Sequence, residues 1–411
     1  MKPDIIYPKI RFPIDIRLEK IENEEIILIN CPIGISKAPL ALVPAVGPIL
    51  SCFDGTISVK DILEKFSPHG LTKELLDTLI TLLDDNLFLA SARFFEAQNT
   101  NVQEFKNAKI RPAALAGRAY PKSVKDLEVE LGRYLDTNKI SFQANTKQMR
   151  GLVAPHIDYR RGQITYGKTY NIIKDRAPDL YVLIGTAHQY GKNIFHLCSK
   201  DFDSPFGLMT CDQSFMKNLA NKYGAARSYE EEILHKQEHS LELQVPFIKK
   251  LNPDTKIAPV LVGSFHHMLQ SGKLPQQFEE YDKFADSLAG CVKEYQASGK
   301  KVCFLAGVDM AHVGMSFGDT IKLTPEKMDA VAVRDKMYLD SISAQDKNAM
   351  FKHIEEDLDE RRICGFPTMY TVLDCFDRLG IKYECETFEY RQAVDYQTDC
   401  AVTFAGMGIY S

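Results

Sequence analysis

The amino-acid sequence predicts an α/β protein with a largely parallel central sheet, preceded by a smaller α+β domain. From about residue 111, apolar runs typical of buried strands alternate with amphipathic helical patterns. Alternation of this kind is typical of parallel sheets with helices on their faces. The chain has 411 residues, and at about 150 residues per domain this length allows a separate front domain.

The composition excludes several classes of protein. The chain is 45% hydrophobic and 26% charged, and a chain of this length buries enough surface to fold without disulfides or structural metals. The net charge is -5 and the 50 basic residues are spread along the chain, so no nucleic-acid footprint is predicted. The ten cysteines include no CxxC pair, which excludes zinc ribbons and thioredoxin-type motifs.

The sequence also predicts a cytoplasmic location. Residues 1–17 lack the apolar core of a secretory signal. The most apolar stretch, residues 38–50, contains three prolines and is shorter than the roughly 18 residues that a membrane span needs. We therefore expect a soluble protein with reduced cysteines and no membrane association.

The front domain, residues 1–100, is predicted to contain a strand, three helices and a closing strand. In chain order these are a strand over 25–30, a short helix over 44–53, helices capped by Ser58 and Thr72, and a strand over 87–90. The leucines of the last helix are expected to form one apolar face: Leu75, Leu76, Leu79, Leu82 and Leu83. This order is similar to that of the small winged-helix domains related to PqqD, which dock peptides or proteins.

The charge of the front domain indicates docking of a protein and argues against DNA binding. Residues 44–96 carry four basic and eight acidic side chains, and a net negative surface repels phosphate. Residues 101–110 are polar and show little periodicity, so we expect a linker there. The main α/β domain would then span residues 111–411.

Polar side chains follow three strand-like runs at the point where each run ends. His156 comes after LVAP, His188 after YVLIG, and Asp309 and His312 after VCFLAGV. Because ligands of α/β sheets bind beyond the carboxyl ends of the strands, we expect these side chains to share one site.

A further candidate lies in the segment EHSLELQVPF, which predicts a helix over 238–251. The pattern is apolar on two faces, so His239 is expected to point inward, where a polar side chain needs a partner. A site ligand, a residue held by a carboxylate and an ordinary core histidine all fit this position. We expect Glu242 to be the carboxylate partner.

Cys364 precedes a predicted helix that begins near Pro367. A helix N-terminus and the adjacent Arg361 and Arg362 are expected to lower the pKa of the thiol toward thiolate. A thiolate can act as a nucleophile or as a soft metal ligand, whereas a cysteine taken alone fits a small core residue equally well.

Taken together, these stretches resemble the Memo family, in particular its bacterial and archaeal branch called AmmeMemoRadiSam system protein B. The resemblance begins at RPAALAGRAYPKSVKDLEVEL, residues 111–131, and continues in the family's order through VAPHIDY, IGTAHQY, EHSLELQVPF, VDMAHVG and ICGFP. It covers residues 110–411. The chain differs from the simplest members by its front domain, and GVDMAHVG replaces a more serine-rich motif.

The resemblance implies a fold like that of the class III extradiol dioxygenases. It implies that His156, His188 and Cys364 hold a metal, and that His312, with Asp309 nearby, takes the place of an acid/base histidine. His239 would line the same pocket. The name of the branch implies a radical SAM enzyme and an AMMECR-type protein as partners, and the family gives no settled substrate.

Three functions remain open from the sequence. Two imidazoles and a thiolate suit iron, copper or zinc, so the first is an iron- or copper-dependent redox enzyme in which His312 moves a proton near neutral pH. The second is a zinc-dependent hydrolase. The third is a non-catalytic module that binds a small molecule, a peptide or a partner protein in the same pocket.

Overall fold

The chain forms two compact units, Met1–Asn107 and Ala108–Ser411. The computed structural model describes residues 5–21, 24–36, 38–139 and 147–411. Residues 1–4, at the start of the segment predicted not to be a secretory signal, lie outside this part. None of the helices in the described ranges is both long and apolar enough to cross a membrane.

In its described residues, the first unit combines a small antiparallel sheet with four helices. Its strands are β1 (Asp15–Ile21), β2 (Glu24–Asn30) and β3 (Leu40–Leu42), paired in that order. Its helices are α1 (Gly47–Leu50), α2 (Val59–Phe66), α3 (Lys73–Asp85) and α4 (Ala92–Asn107). Isoleucines of β2 and leucines of α3 meet in one apolar core.

The predicted caps of this unit are confirmed, whereas several of its elements differ from the prediction. The hydroxyl of Ser58 accepts a hydrogen bond from the Asp61 N–H, and that of Thr72 accepts one from the Leu75 N–H. Residues 87–90 form no strand and make one isolated bridge, between Leu89 and Ile10. Strands β1 and β3 were not predicted, because the prediction relied on continuous apolar runs of the kind found in buried strands, whereas the apolar residues Ile16 and Leu18 of β1 are 42% and 70% exposed.

The five leucines of α3 do not form one buried face. Leu76, Leu79 and Leu83 are buried, but Leu75 is 58% exposed and Leu82 is 37% exposed. Positions i, i+3 and i+7 lie on one side of a helix, and a run of adjacent leucines extends beyond that side. The winged-helix resemblance of this unit stays a prediction.

Most of the predicted linker is helical. Helix α4 continues to Asn107, although its sequence is mainly polar. Two buried phenylalanines, Phe94 and Phe105, are eleven residues apart, which is about three helical turns. Two apolar positions over that length give too weak a period to predict a helix.

The second unit is a large α/β structure. Its strands are β4 (Ile110–Arg111), β5 (Met149–Ala154), β6 (Leu180–Thr186), β7 (Phe195–Leu197), β8 (Asp201–Phe202), β9 (Lys256–Val262), β10 (Val302–Gly307), β11 (His312–Val313), β12 (Glu384–Asp395) and β13 (Cys400–Tyr410). Its helices are α5 (Val124–Thr137), α6 (Tyr159–Asn171), α7 (Gln213–Tyr223), α8 (Ala225–Tyr229), α9 (His239–Glu242), α10 (Val245–Leu251), α11 (His266–Ser271), α12 (Glu279–Ala297), α13 (Pro325–Ser343), α14 (Lys347–Glu355) and α15 (Phe366–Arg378).

Eight of these strands form one mixed sheet, which confirms the predicted α/β fold. The order is β11-β13-β5-β10-β6-β9-β7, and β12 pairs with β13 along the whole length of that strand. Strands β5, β10, β6 and β9 are parallel to one another, and the remaining strands join antiparallel. All residues of β6 and β10 are buried, as expected for central strands covered on both faces.

The segment 238–251 forms two short helices where one was predicted. Helix α9 ends at Glu242 and α10 begins at Val245. Pro246 has no N–H to continue a helical hydrogen-bond ladder, so it sits in the first turn of the second helix. The one-turn α9 can therefore take its own direction, and this decides where His239 points.

Candidate metal centre

Three neighbouring strands of the sheet end at the same edge. Strands β5, β10 and β6 lie side by side and parallel, and each is followed two residues later by a polar side chain. These side chains are His156, Asp309 and His188. The order of the strands therefore places them together, as the sequence predicted.

Three imidazole rings meet at this edge. One ligand nitrogen from each of His156, His188 and His239 lies within 4.8 Å of the other two. The ring centroids of His188 and His239 are 4.3 Å apart, and each lies 5.0 Å from that of His156. We call these three residues the histidine cluster; in the described ranges it is the one group of three or more His, Cys, Asp or Glu residues spaced to hold a metal ion.

His156 forms the buried floor of the histidine cluster. Its Nδ1 lies 3.0 Å from the carbonyl oxygen of Gly307, so Nδ1 carries the proton and the Nε2 lone pair faces the Cys364 Sγ at 3.3 Å. Burial, together with the nearby rings of His188 and His239, holds the pKa of this imidazole well below its usual value. A neutral ring with an unprotonated Nε2 is the form that binds a metal.

His188 carries the positive charge of the histidine cluster. Its Nδ1 lies 2.8 Å from Glu238 Oε1, and its backbone N–H donates to Glu238 Oε2 at 2.9 Å. Burial by itself would lower the pKa of His188, but the Glu238 carboxylate raises it well above its usual value. The charge of His188 in turn outweighs burial at Glu238 and keeps the pKa of that carboxyl well below its usual value.

His239 completes the histidine cluster on its solvent side. Its Nδ1 lies 3.2 Å from Glu238 Oε1, and its side chain is 38% exposed. Burial of the ring and the charge of His188 lower the pKa of His239 to about 4. The sequence predicted an inward-pointing residue, whereas the break after α9 turns this ring toward an opening that solvent reaches.

Cys364 lies beside the histidine cluster with a protonated thiol. Its Sγ is 3.3 Å from His156 Nε2. The expected low thiol pKa is wrong, because burial raises the pKa and the lowering by His188 does not compensate. The two arginines point elsewhere: Arg361 pairs with Asp335 at 2.8 Å, and Arg362 pairs with Asp319 at 2.8 Å.

The pKa of Asp309 is raised above the usual value for a carboxyl group, and the pKa of His312 is lowered below the usual value for an imidazole. Burial raises the pKa of Asp309 to about 7, and its Oδ2 lies 3.8 Å from His156 Nε2. Burial and the charge of His188 lower the pKa of His312 to about 4. The group that titrates near neutral pH is therefore the carboxyl of Asp309, and not the imidazole of His312.

His312 is held by backbone carbonyls on two sides. Its Nδ1 lies 3.0 Å from the Met310 oxygen and 3.1 Å from the Arg362 oxygen, and its backbone N–H donates to the Arg361 oxygen at 2.7 Å. Nδ1 therefore carries the proton, and Nε2 is left as a proton acceptor.

A family model described as Memo-like protein matches residues 111–408, which is more than half of the chain. The chain belongs to the Memo family. This confirms the family that the motifs predicted. All six predicted site residues of this Memo protein fall within the matched region: His156, His188, His239, Asp309, His312 and Cys364.

Relatives of this Memo protein differ in how much of it they match. A MEMO1 family protein of Aquifex aeolicus is 26% identical over 386 residues, 93% of this chain and 96% of that protein. One from Pyrococcus furiosus is 25% identical over 72% of this chain and 98% of its own. One from Thermus thermophilus is 26% identical over 70% of this chain and 80% of its own. The Aquifex alignment is longer than the second unit, so it includes part of the first.

The sequence identified the wrong acidic partner for the histidines of this Memo protein. Glu242 was expected, but its carboxylate is bound by Arg111 and Tyr120. The partner is Glu238, which also accepts a hydrogen bond from the Ser240 N–H and so caps α9. The predicted helix began at Glu238 itself, and glutamate is not among the residues that usually cap a helix N-terminus, so no sequence signal indicated this role.

Proposed function

We propose that this protein binds one transition-metal ion through His156, His188 and His239 and uses it in a redox reaction on a small-molecule or peptide substrate. The observation that carries the proposal is the spacing of the three ligand nitrogens, all within 4.8 Å of one another. Two of the rings have Nδ1 engaged by Gly307 and Glu238. Each would therefore offer Nε2 to the metal.

The donor set fits a metal of the later transition series. Imidazole nitrogens bind iron, copper and zinc well, and a thiol favours the softer ions among them. The sulfur of Cys364, next to His156 Nε2, can join the ligands, because a metal deprotonates a thiol that coordinates it. A carboxylate or a carbonyl behind each ligand histidine, here Glu238 and Gly307, is the usual support of such sites. We therefore favour iron or copper, with zinc as the alternative.

The chain's own residues provide proton transfer around this centre. A bound iron or copper ion would supply electron transfer and Lewis acidity. Asp309 can hold or release a proton near neutral pH, since its pKa is about 7. His312 is neutral at that pH and has a free Nε2, so it accepts a proton. The partly exposed side chains of His188 and His239 leave the substrate a way in.

A zinc-dependent hydrolase is the second candidate. Three histidines without a carboxylate in the cluster are a donor set that catalytic zinc sites use. A bound zinc ion would supply a water of lowered pKa, and Asp309, with a pKa of about 7 and 3.8 Å from His156 Nε2, would accept a proton near neutral pH. The zinc hydrolase differs from the redox enzyme in the identity of the metal and in consuming no oxygen.

Metal analysis of protein purified without oxygen, followed by an oxygen-consumption assay, separates the two candidates. The redox proposal predicts about one iron or copper per chain and oxygen uptake that Asp309→Asn reduces at unchanged metal content. Zinc at the same stoichiometry with no oxygen uptake would favour hydrolysis. A folded protein that binds none of these metals would contradict both.

We propose further that the protein acts together with a radical SAM enzyme and an AMMECR-type protein. The support for this is the family resemblance and the acidic first unit, in which residues 44–96 have a net charge of -4. Co-purification with the radical SAM enzyme should be lost when residues 1–107 are deleted, whereas His156→Ala should leave it unchanged. Retention of the partner by the deleted chain would contradict docking through the first unit.

A further inference from the structure

The segment at the start of the second unit, residues 111–120, surrounds one buried carboxylate. The Glu242 side chain is 1% exposed and pairs with the fully buried guanidinium of Arg111. It also accepts hydrogen bonds from the Ala114 N–H at 3.2 Å, the Leu115 N–H at 2.7 Å and the Tyr120 hydroxyl at 2.7 Å. All four donors come from the motif RPAALAGRAY, which the proposed function does not use.

Arg111 extends this contact to the other end of α9. Its Nη2 donates to the carbonyl oxygen of Glu238 at 2.8 Å, and its Nε donates to that of His235 at 2.9 Å. The guanidinium thus fixes the residue before the helix, while its charge pairs with Glu242 at the end of the helix. We call Arg111, Tyr120 and Glu242 the clamp.

The helix held by the clamp cannot keep its direction alone. Helix α9 has four residues, whereas isolated helices shorter than about 12–15 residues are marginal in water. Its orientation must come from tertiary contacts, and those made by the clamp lie at its two ends. That orientation sets both His239, the first residue of the helix, and the Glu238 carboxylate that holds His188.

A buried ion pair needs a reason other than stability. Removing two charges from water costs about as much as their attraction returns, and apolar replacements are often neutral or better. The clamp is completely buried, and five of its hydrogen bonds converge on a single helical turn or on the residues that precede it. Fixing the direction of that turn is a role that apolar packing fills less well.

We propose that Arg111, Tyr120 and Glu242 are positioning residues that set the geometry of the histidine cluster through helix α9. The inference rests on the proposed metal function and assigns a role to the 111–120 motif. The clamp contacts no metal ligand side chain directly. It acts through the Glu238 carbonyl and the carboxyl end of α9.

The test compares two tyrosine variants by Co²⁺ titration. Tyr120→Phe removes one hydrogen bond from the clamp. Tyr181→Phe is the matched control. The hydroxyl of Tyr181 is buried and donates to Asn252 Oδ1 at 2.7 Å, the same distance as in the clamp. Tyr181 lies at the start of β6, at the opposite end of that strand from the histidine cluster. The readouts are Co²⁺ affinity, the visible absorption spectrum of bound Co²⁺ and the midpoint of unfolding in urea.

Tyr120→Phe should weaken Co²⁺ binding by up to about tenfold, which is the lower end of the effect of groups that hydrogen-bond a metal ligand directly, and should shift the Co²⁺ absorption bands. Arg111→Lys, which keeps the charge but not the fork of donors, should have a larger effect of the same kind. Tyr181→Phe should lower the unfolding midpoint by a similar amount and leave both metal readouts unchanged.

One outcome would contradict the role of the clamp, and another would contradict the proposed metal function. If the unaltered protein binds Co²⁺ but Tyr120→Phe and Tyr181→Phe give the same affinity and spectrum, the clamp is only structural and the inference fails. If the unaltered protein does not bind Co²⁺, the proposed function fails first. If Arg111→Lys does not fold, the comparison of Tyr120→Phe with Tyr181→Phe still tests the inference, because each of these variants loses a single hydrogen bond.

Discussion

The Nδ1 of His188 lies 2.8 Å from Glu238 Oε1, and this pair determines how protons compete with metal in the histidine cluster. Burial opposes the charged form of His188, but the Glu238 carboxylate outweighs it and raises the pKa of His188 well above its usual value. The pKa of His156 is well below its usual value and that of His239 is about 4. Near neutral pH, His188 is therefore the cluster ring that must lose a proton before metal binds.

Glu238→Gln should reduce the number of protons released on metal binding by about one between pH 6 and 8. In the unaltered protein, His188 is protonated in this range, so metal affinity falls as pH falls. Without the carboxylate, the pKa of His188 drops and this competition disappears. Affinity at high pH should also weaken by about 10–100-fold, because the ligand loses its orienting partner. Calorimetry in buffers of different ionisation enthalpy measures the proton count.

Glu231→Gln is the control for that experiment. Its carboxylate accepts hydrogen bonds from the Lys192 and Asn193 N–H groups, and its substitution should leave the proton count as it is. An equal count for Glu238→Gln and the unaltered protein would contradict the loss of a proton from His188 when metal binds.

Gly307→Ala and Gly290→Ala should change stability in opposite directions. A Cβ on Gly307 would lie 2.3 Å from the Ser240 carbonyl oxygen in α9, whereas a Cβ on Gly290 meets nothing within 4 Å. Overpacking should cost about 1–3 kcal/mol at Gly307, and it should weaken metal binding because α9 must move. At Gly290, inside α12, alanine should stabilise by about 0.5–1 kcal/mol.

Urea unfolding and metal titration of both glycine variants check this prediction. The close approach of α9 to β10 would be refuted by a Gly307→Ala protein with unchanged stability and unchanged metal affinity.

Arg361→Met should destabilise the protein far more than Arg334→Met. Arg361 is buried and pairs with the fully buried Asp335 at 2.8 Å, so its loss leaves an uncompensated charge that costs about 3–5 kcal/mol. Arg334 is 30% exposed and pairs with Glu356 at 3.1 Å and with Asp357 at 2.9 Å, and pairs that water reaches contribute about 0–1 kcal/mol each. The free energies of unfolding in urea measure the difference, and similar losses for the two variants would contradict it.

The sequence could predict the edge of the sheet at which the site lies. The apolar runs before His156, His188 and Asp309 are strands β5, β6 and β10. They are buried on both faces, so their composition identifies them without knowledge of their neighbours. Parallel strands bring their ends together by topology, and this made the convergence of these side chains predictable.

The contacts that tune the site were not predictable, because they depend on residues far apart in the chain. Glu238 and Glu242 are one helical turn apart, and only the presence of Arg111, 131 positions before Glu242, shows which of them is free to hold a histidine. Similarly, Arg361 is close to Cys364 in the sequence, but its guanidinium pairs with Asp335. Closeness in sequence therefore did not show that the positive charge would lower the pKa of the Cys364 thiol.

Co²⁺ binding by three single variants tests whether His156, His188 and His239 form one metal centre. The unaltered protein, titrated with Co²⁺ at pH 8, should bind about one ion per chain. His239→Ala should weaken binding at least tenfold, as expected for loss of one of three ligands, and so should His156→Ala. The control His266→Ala, whose ring contacts Gln270 on α11, should bind like the unaltered protein. Equal affinity of His239→Ala and His266→Ala would contradict the three-histidine centre.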